Sequence, residues 1–354
     1  MALRPAPLAD LELAAARNAQ RRQIAWDQLH GCVALDARLG ARAWGLTGSS
    51  SDDEYRGVFV LPAPWTTGLA EPPLDLVSLD GSRTYWEIGK VIRQALRADP
   101  ATLEMLFAEP TVVDPIAAEL VAMRAGFLSI EIYASFGRHA LAQLDRLEHN
   151  QRLAEHRAAV IGWLRHDPQL ELDAAAERLA DAARIQAPTR TDAVARARDY
   201  IKQLYRSMYD QGMLVANDWA SLRAAARTEP ELPRDTRPRA AANHIRLLDL
   251  AIHWLAGEPP DVHASEAIRP TLLAIKRGEI AVAEILALAR QLTPQLEAAR
   301  HSSPLPRHPD IGRAERALRA ARDEAARRWL DRTPGAWGAD APAAPEATLD
   351  DQPT

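Results

Sequence analysis

The spacing of apolar positions changes character along the chain. Between residues 10 and 30, Leu11, Leu13, Ile24, Trp26 and Leu29 recur at helical intervals and predict an amphipathic helix with those side chains inward. Two short β-compatible runs follow, Val33–Leu39 and Tyr55–Leu61, separated by the turn-rich stretch Gly45-Leu-Thr-Gly-Ser-Ser-Ser-Asp-Asp53. They read as neighbouring strands joined by a polar loop. A connection interrupted by Pro62, Pro64, Pro72 and Pro73 leads to a third strand near Leu74–Leu79. From Thr84 the period becomes helical, with Tyr85, Ile88, Ile92, Ala95 and Leu96 on one face. Asp99-Pro100 supplies an N-cap residue followed by proline at the first helical position, and Pro110 closes that second helix.

Beyond about residue 115 the pattern is helical, broken at Pro188, at the Pro230–Pro238 cluster and at Pro259-Pro260. Leu232–Pro238 reads as an exposed inter-helix connection. Tyr200, Leu204 and Met208 recur every fourth residue and read as helix core. Residues 333–354 combine Pro, Ala, Gly and acid with few large apolar side chains and read as a disordered acidic tail. The expected organisation is a first, strand-bearing segment 1–115, a helical segment 116–332 and the tail. No internal repeat is found.

Composition narrows the class. At 354 residues and 47% hydrophobic content the chain can bury a sizeable core. About one residue in five is alanine and aromatics are 5%, which favours packed helices over a β-sandwich. A formal net charge of -5 leaves no global positive field for nucleic acid. Four of those negative charges fall after Arg332, at Asp340, Glu346, Asp350 and Asp351, so the rest of the chain is nearly neutral. The single cysteine, Cys32, excludes an intramolecular disulfide and multi-thiolate metal sites, and suits a reducing compartment. No stretch approaches the roughly 20 apolar residues that cross a bilayer, so a cytoplasmic protein with no membrane partner is expected.

Candidate chemistry concentrates in Gly40-Ala-Arg-Ala-Trp-Gly45 and Ser51-Asp-Asp-Glu-Tyr-Arg-Gly57. In an extended strand Asp52 and Glu54 share a face while Asp53 points away. Paired hard oxygen ligands suit Mg²⁺ or Mn²⁺, which bind through a few carboxylates plus substrate phosphates. The glycine-bearing turn would place a phosphate cradle beside that pair. It is not a Walker loop, because no Lys-Ser/Thr follows Gly45. Taken alone, an acidic Ser/Asp/Glu loop is ordinarily a solvated turn. The order and spacing of the two segments together make the signal specific.

The run Gly40-Ala-Arg-Ala-Trp-Gly-Leu46, then Ser51-Asp-Asp-Glu-Tyr-Arg-Gly-Val-Phe-Val60, resembles the signature of the DNA polymerase β-like nucleotidyltransferases, in the branch of RNA-repair-pathway nucleotidyltransferases. The resemblance continues through Tyr85-Trp-Glu-Ile-Gly-Lys90 and Asp99-Pro-Ala-Thr-Leu-Glu-Met-Leu-Phe107, then Phe136-Gly-Arg-His-Ala-Leu-Ala-Gln143. It extends to Arg237-Pro-Arg-Ala-Ala-Ala-Asn-His-Ile-Arg-Leu-Leu248, Trp254-Leu-Ala-Gly-Glu258, Leu272–Glu279 and Ser303-Pro-Leu-Pro306. It implies an α+β fold, a small mixed β-sheet polymerase β-like domain followed by a large helical domain that closes over nucleotide and acceptor. It also implies a transferase of the EC 2.7.7 type that moves a nucleoside monophosphate from an NTP to a hydroxyl, at an RNA end in this branch.

On that basis Asp52 and Glu54 hold the Mg²⁺ or Mn²⁺, and Gly40, Ala41 and the following amides cradle the triphosphate, with Ser51 beside them. The third carboxylate is Asp80, with Glu87 as second choice. Arg42 and Arg56 meet phosphate oxygens, or pair with Asp53 or another surface acid. Arg239, Asn243 and Arg246 share a helix face that would bind triphosphate or base. Two departures stand out: Ala41 replaces the usual serine of the signature, and Glu54 the usual aspartate. Both permit a silent nucleotide- or RNA-binding homologue. Transfer of AMP to protein, or synthesis of a signalling nucleotide, would use the same site. His149 and His156 stand seven residues apart, about 10 Å along a helix, too far to chelate one ion. No Gly-x-Ser-x-Gly elbow supports a hydrolase triad.

Overall fold

A computed structural model of the chain describes residues 20, 22–47, 53–67, 71–210, 212–226 and 238–332. Leu11, Leu13, Ser51, Asp52, all but the last residue of the Leu232–Pro238 connection, and the 333–354 tail lie outside the described residues. Along the chain come α1 (residues 22–29), β1 (Val33–Leu39), α2 (the single turn Gly40–Ala43), β2 (Glu54–Phe59), α3 (Ala63–Thr67) and β3 (Asp75–Val77). Then follow β4 (Arg83–Glu87), α4 (Ile88–Ala95), α5 (Pro100–Phe107), β5 (Pro110–Val113), α6 (Ala118–Met123) and α7 (His139–His166). The remaining helices are α8 (Leu172–Ala182), α9 (Arg190–Asp210), α10 (Trp219–Ala226), α11 (Pro238–Leu255), α12 (Arg269–Arg277), α13 (Val282–His301) and α14 (Ile311–Arg332). The class is α+β: a mixed five-stranded sheet, then helices.

The strand order is β3-β4-β2-β1-β5, antiparallel throughout except for the parallel pair β2–β4. The two strands expected from alternation, β1 and β2, pair as neighbours, and β3 lies within the third run. The helix expected from Thr84 is different. Arg83–Glu87 forms β4, and α4 starts only at Ile88. The Tyr85, Ile88 and Ile92 spacing imitates a helix, but Thr84, Tyr85 and Trp86 have strong β propensity and lie beside β2 as its parallel partner. Glu87 then switches the chain, its carboxylate accepting from the amides of Gly89 (2.7 Å) and Lys90 (3.2 Å). Asp99 caps α5 as expected, accepting from the Thr102 amide at 2.9 Å. Pro110 does not simply end that helix; it opens β5 on the sheet edge, where a missing N–H is tolerated. In α1, Leu29 is buried and Trp26 stacks on Tyr85, whereas Ile24 is 40% exposed rather than inward.

Two compact units divide the chain: Met1–Ala140 with Ile245–Leu273 and Gln291–Thr354, and Leu141–His244 with Ala274–Arg290. The whole sheet lies in the first. There, Gly57 is required by close approach, since a Cβ would come within 1.8 Å of the Leu35 carbonyl oxygen, beside a register shift in β1. The motif patches beyond the sheet supply packing. Trp254 is buried against Phe107 (centroids 5.4 Å) and Phe136 (5.5 Å). The last helix, α14, returns to the sheet: Arg328 forms a two-pronged pair with Asp114 (2.7 and 3.0 Å), and Arg322 approaches the buried Glu87 at 3.8 Å. In the second unit, α7 to α10 bury Val160, Leu164, Leu179, Ile201, Leu204 and Met208, with Tyr200 packed against them. The Tyr200, Leu204 and Met208 stripe is core, as its period indicates.

His253 of α11 makes stability pH-dependent. Its Nδ1 lies 2.9 Å from Glu258 and its Nε2 lies 3.5 Å from Asp249. Burial alone would lower its pKa, but the hydrogen bond to Glu258 and the charges of Asp249 and Glu258 outweigh burial and raise it. A raised folded-state value means the stabilisation is complete below the unfolded value, about 6.5, and lost as pH rises through the folded one. The imidazole is partly exposed, so the expected loss is below about 1 kcal/mol. Urea midpoints should fall slightly between pH 6 and pH 8, and His253→Gln should flatten that difference.

Candidate active site

The turn after β1 is built around a left-handed residue. Gly40 has φ +72, which an L side chain adopts only with strain, and Gly45 closes the segment at φ +69. Within it the Trp44 amide donates to the Gly40 carbonyl and the Leu46 amide to that of Ala41. Leu39, at the N-cap of α2, provides no side-chain cap. The first amides of such a turn need acceptors from outside it.

Glu54 lies against this turn. It pairs with Leu39 across the β1–β2 ladder, and a Cβ on Gly40 would meet its Cδ at 3.2 Å. The second motif thus brings a carboxylate onto the glycine of the first. Arg56, the next residue on that face, reaches to 3.9 Å from Glu54 and lies over Trp86 at 5.7 Å. Arg42 pairs with Asp53 at 2.7 Å, with both side chains about half exposed. Of its two sequence readings, the ion pair is the one the structure contains. Ala41 is half-buried in the turn and adds no hydroxyl.

Asp80 sits in the exposed turn between β3 and β4, held by Ser78 Oγ (2.5 Å), the Ser82 amide (3.0 Å) and Ser82 Oγ (2.8 and 2.9 Å). The two hydroxyls and the amide lower its carboxyl to about 2. The Tyr55 amide donates to the Ser82 carbonyl, which puts this turn at the Glu54 end of β2. Glu87 is at the other end of β4, level with Phe59. Five residue steps, about 17 Å of strand, therefore separate it from the Glu54 end. On the Glu54 side, β4 offers Thr84 and Trp86, preceded by Ser82 of the turn, and no carboxylate. Asp36 of β1 pairs with Gly57 and belongs to the opposite sheet face, where Arg83 (2.8 Å) and Thr111 (3.0 Å) hold it.

Arg246 needs correction. Expected on a ligand-binding helix face, it is 2% exposed and pairs with Glu104 at 2.9 Å, its guanidinium 3.8 Å over the Trp44 ring. The Trp44 Nε1–H donates to the other Glu104 oxygen at 2.8 Å. Glu104, Arg246 and Trp44 come from three separate motif patches, and together they anchor the turn to α5 and α11. Sequence reasoning missed this group. The signal was available in Glu104, one acid inside the apolar run Leu103-Glu-Met-Leu-Phe107. Arg239 is exposed and Asn243 half-buried in the early turns of α11, both in the second unit.

Among the described residues no group of three or more His, Cys, Asp or Glu side chains is placed to hold a metal ion. The donors near Gly40 are carboxylate oxygens, which suit Mg²⁺ or Mn²⁺ and not thiolate-seeking metals. Glu54 is the described member of that set, and Asp52 lies outside the described residues. The family model of RlaP, the RNA repair pathway DNA polymerase beta family, matches residues 14–161. This stretch is similar to that family. The RlaP match spans the whole sheet, the Gly40 turn, Glu54, Asp80 and Glu104, and ends before α11. No curated protein and no solved structure matches the chain. Among the described residues no helix is long and apolar enough to cross a membrane.

Proposed function

We propose that this protein is a divalent-metal-dependent nucleotidyltransferase that moves a nucleoside monophosphate from an NTP to a hydroxyl at an RNA end. The observation that carries the reading is Glu54 packed on the left-handed Gly40, two motif residues brought to one strand end. RNA as acceptor rests on the RlaP match. In this reading Asp52 and Glu54 hold Mg²⁺ or Mn²⁺, which when bound would offset charge on the phosphates. The backbone of Gly40–Arg42 would receive the triphosphate, and Arg56, on the same strand face as Glu54, would pair with its oxygens. The acceptor hydroxyl oxygen attacks the α-phosphorus as its proton passes to solvent, the bond from that phosphorus to the oxygen bridging to the β-phosphate breaks, and pyrophosphate leaves. Asp80 is the third carboxylate. Held near 2, it remains ionised at physiological pH, which suits holding a cation better than accepting the hydroxyl proton.

One observation favours a second reading, nucleotide binding without turnover: β4 carries no carboxylate level with Glu54, and Asp80 is committed to Ser78 and Ser82. Incubation with each α-labelled NTP, Mg²⁺ or Mn²⁺, and RNA bearing a free 3′ hydroxyl distinguishes the two. Label in RNA that disappears in Asp52→Asn/Glu54→Gln is the expected result. Label in protein or in a free dinucleotide would replace RNA as the acceptor. NTP binding without any transfer would establish the second reading, and equal behaviour of wild type and double variant would overturn the site.

A further inference from the structure

At the opposite end of β1 from Gly40, about 20 Å along the strand, a cleft of about 340 Å³ opens where the chain enters β1 and leaves β2. Its floor is Gly31, Cys32 and Val33, and α14 closes one side with Arg328 and Trp329. All of these residues belong to the first unit. None belongs to the candidate active site. Its size is at the lower end of the roughly 300–1,000 Å³ range of small-ligand sites. That is room for one fused ring and a modest substituent. A Cβ built on Gly31 meets nothing within 4 Å, so a side chain can be added at this lining position without a clash.

The lining specifies a ligand class. Arg328 is fixed by three hydrogen bonds, two to Asp114 (Nη2 2.7 Å, Nη1 3.0 Å) and one from Nε to Glu324 (2.9 Å). Arg327 also pairs with Glu324 at 3.2 Å, so the two carboxylates and two guanidiniums leave no net charge at this wall. A phosphate or carboxylate would find the one cation of the lining already paired with two carboxylates. What remains is a rigid guanidinium plane, which stacks well on aromatic rings, together with the Trp329 indole. Val33, Val60, Pro62 and Ile116 supply apolar walls, and the Gln28 amide supplies a donor and an acceptor for a ring edge. Flat, uncharged and polar-edged describes a nucleobase.

We propose that this cleft binds an uncharged nucleobase or nucleoside, as a second ligand site separate from the Gly40 turn and independent of nucleotidyl transfer there. Cys32, the chain's single thiol, lines the cleft and reports its occupancy. The test is the rate of N-ethylmaleimide modification of the full chain, read by intact mass, with and without adenosine, guanosine, cytidine, uridine and the four parent bases, and with ATP for comparison. At least one nucleoside or base should slow modification fivefold or more while ATP does not. Gly31→Leu adds bulk to the lining and should abolish the protection. Trp329→Leu, a second variant should the first fail to fold, should weaken it at least tenfold in ligand concentration. The proposal is overturned if no nucleoside or base protects, if protection survives in the folded Gly31→Leu or Trp329→Leu protein, or if ATP protects as strongly as the nucleosides.

Discussion

Arg246→Ala is expected to cost about 3–5 kcal/mol of stability, measured by urea unfolding, because it strands the buried Glu104 carboxylate without its partner. Glu104→Ala should cost as much or more. It strands the buried guanidinium and also removes the acceptor of the Trp44 indole N–H. The instructive variant is the double replacement Glu104→Leu/Arg246→Met. A buried ion pair roughly breaks even against apolar side chains of similar volume, so the double variant should recover most of the single losses. The shortfall should be about 1–3 kcal/mol, the cost of leaving the Trp44 N–H without an acceptor. Strict additivity of the two single losses would show that Glu104 and Arg246 do not act as a pair.

The second large effect separates two carboxylates that the sequence leaves in competition. Asp80→Asn should reduce nucleotidyl transfer about 10²–10³-fold, the scale of losing one fixed electrostatic group at a transition state. Its unfolding midpoint should move little, since Asp80 is exposed and its partners Ser78 and Ser82 lie in the same turn. Glu87→Ala should do the opposite. It removes the cap of α4 and the partner of Arg322, costing about 0.5–2 kcal/mol, while transfer stays within about threefold, a kcal/mol or less of barrier. Full activity in Asp80→Asn would remove Asp80 from the site. Lost activity in a folded Glu87→Ala protein would require a catalytic centre at the Phe59 end of β2, far from Gly40.

Much of the fold was legible because local rules and tertiary structure agree. β1 and β2 announce themselves by short apolar runs around a turn-rich loop, and Asp99-Pro100 by its cap chemistry. β4 was hidden because Tyr85, Ile88 and Ile92 satisfy the helical period although only the last two are helical. β5 was hidden behind Pro110, which reads as a stop signal but is compatible with an edge strand. At the site, the proximity of Gly40 and Glu54 follows from the strand pairing that the sequence implies. Burial of Arg246 does not follow, because a helical arginine is ordinarily exposed, and its partner Glu104 is 142 residues away. Periodicity along α11 puts Arg246 on a face without saying what that face meets.

The return of α14 to the sheet bears on synthesis at the ribosome. Asp114 waits for Arg328 across 214 residues, and Glu87 waits for Arg322. At about 5–20 residues per second, translation takes roughly ten to forty seconds between the two ends of the Asp114–Arg328 pair. Throughout that interval the nascent sheet lacks the helix that caps its end, with hydrophobic surface open to chaperones or to neighbouring chains. A fragment ending at residue 115, or at the RlaP boundary at 161, would stay in that unfinished state and is expected to be recovered mainly as aggregate.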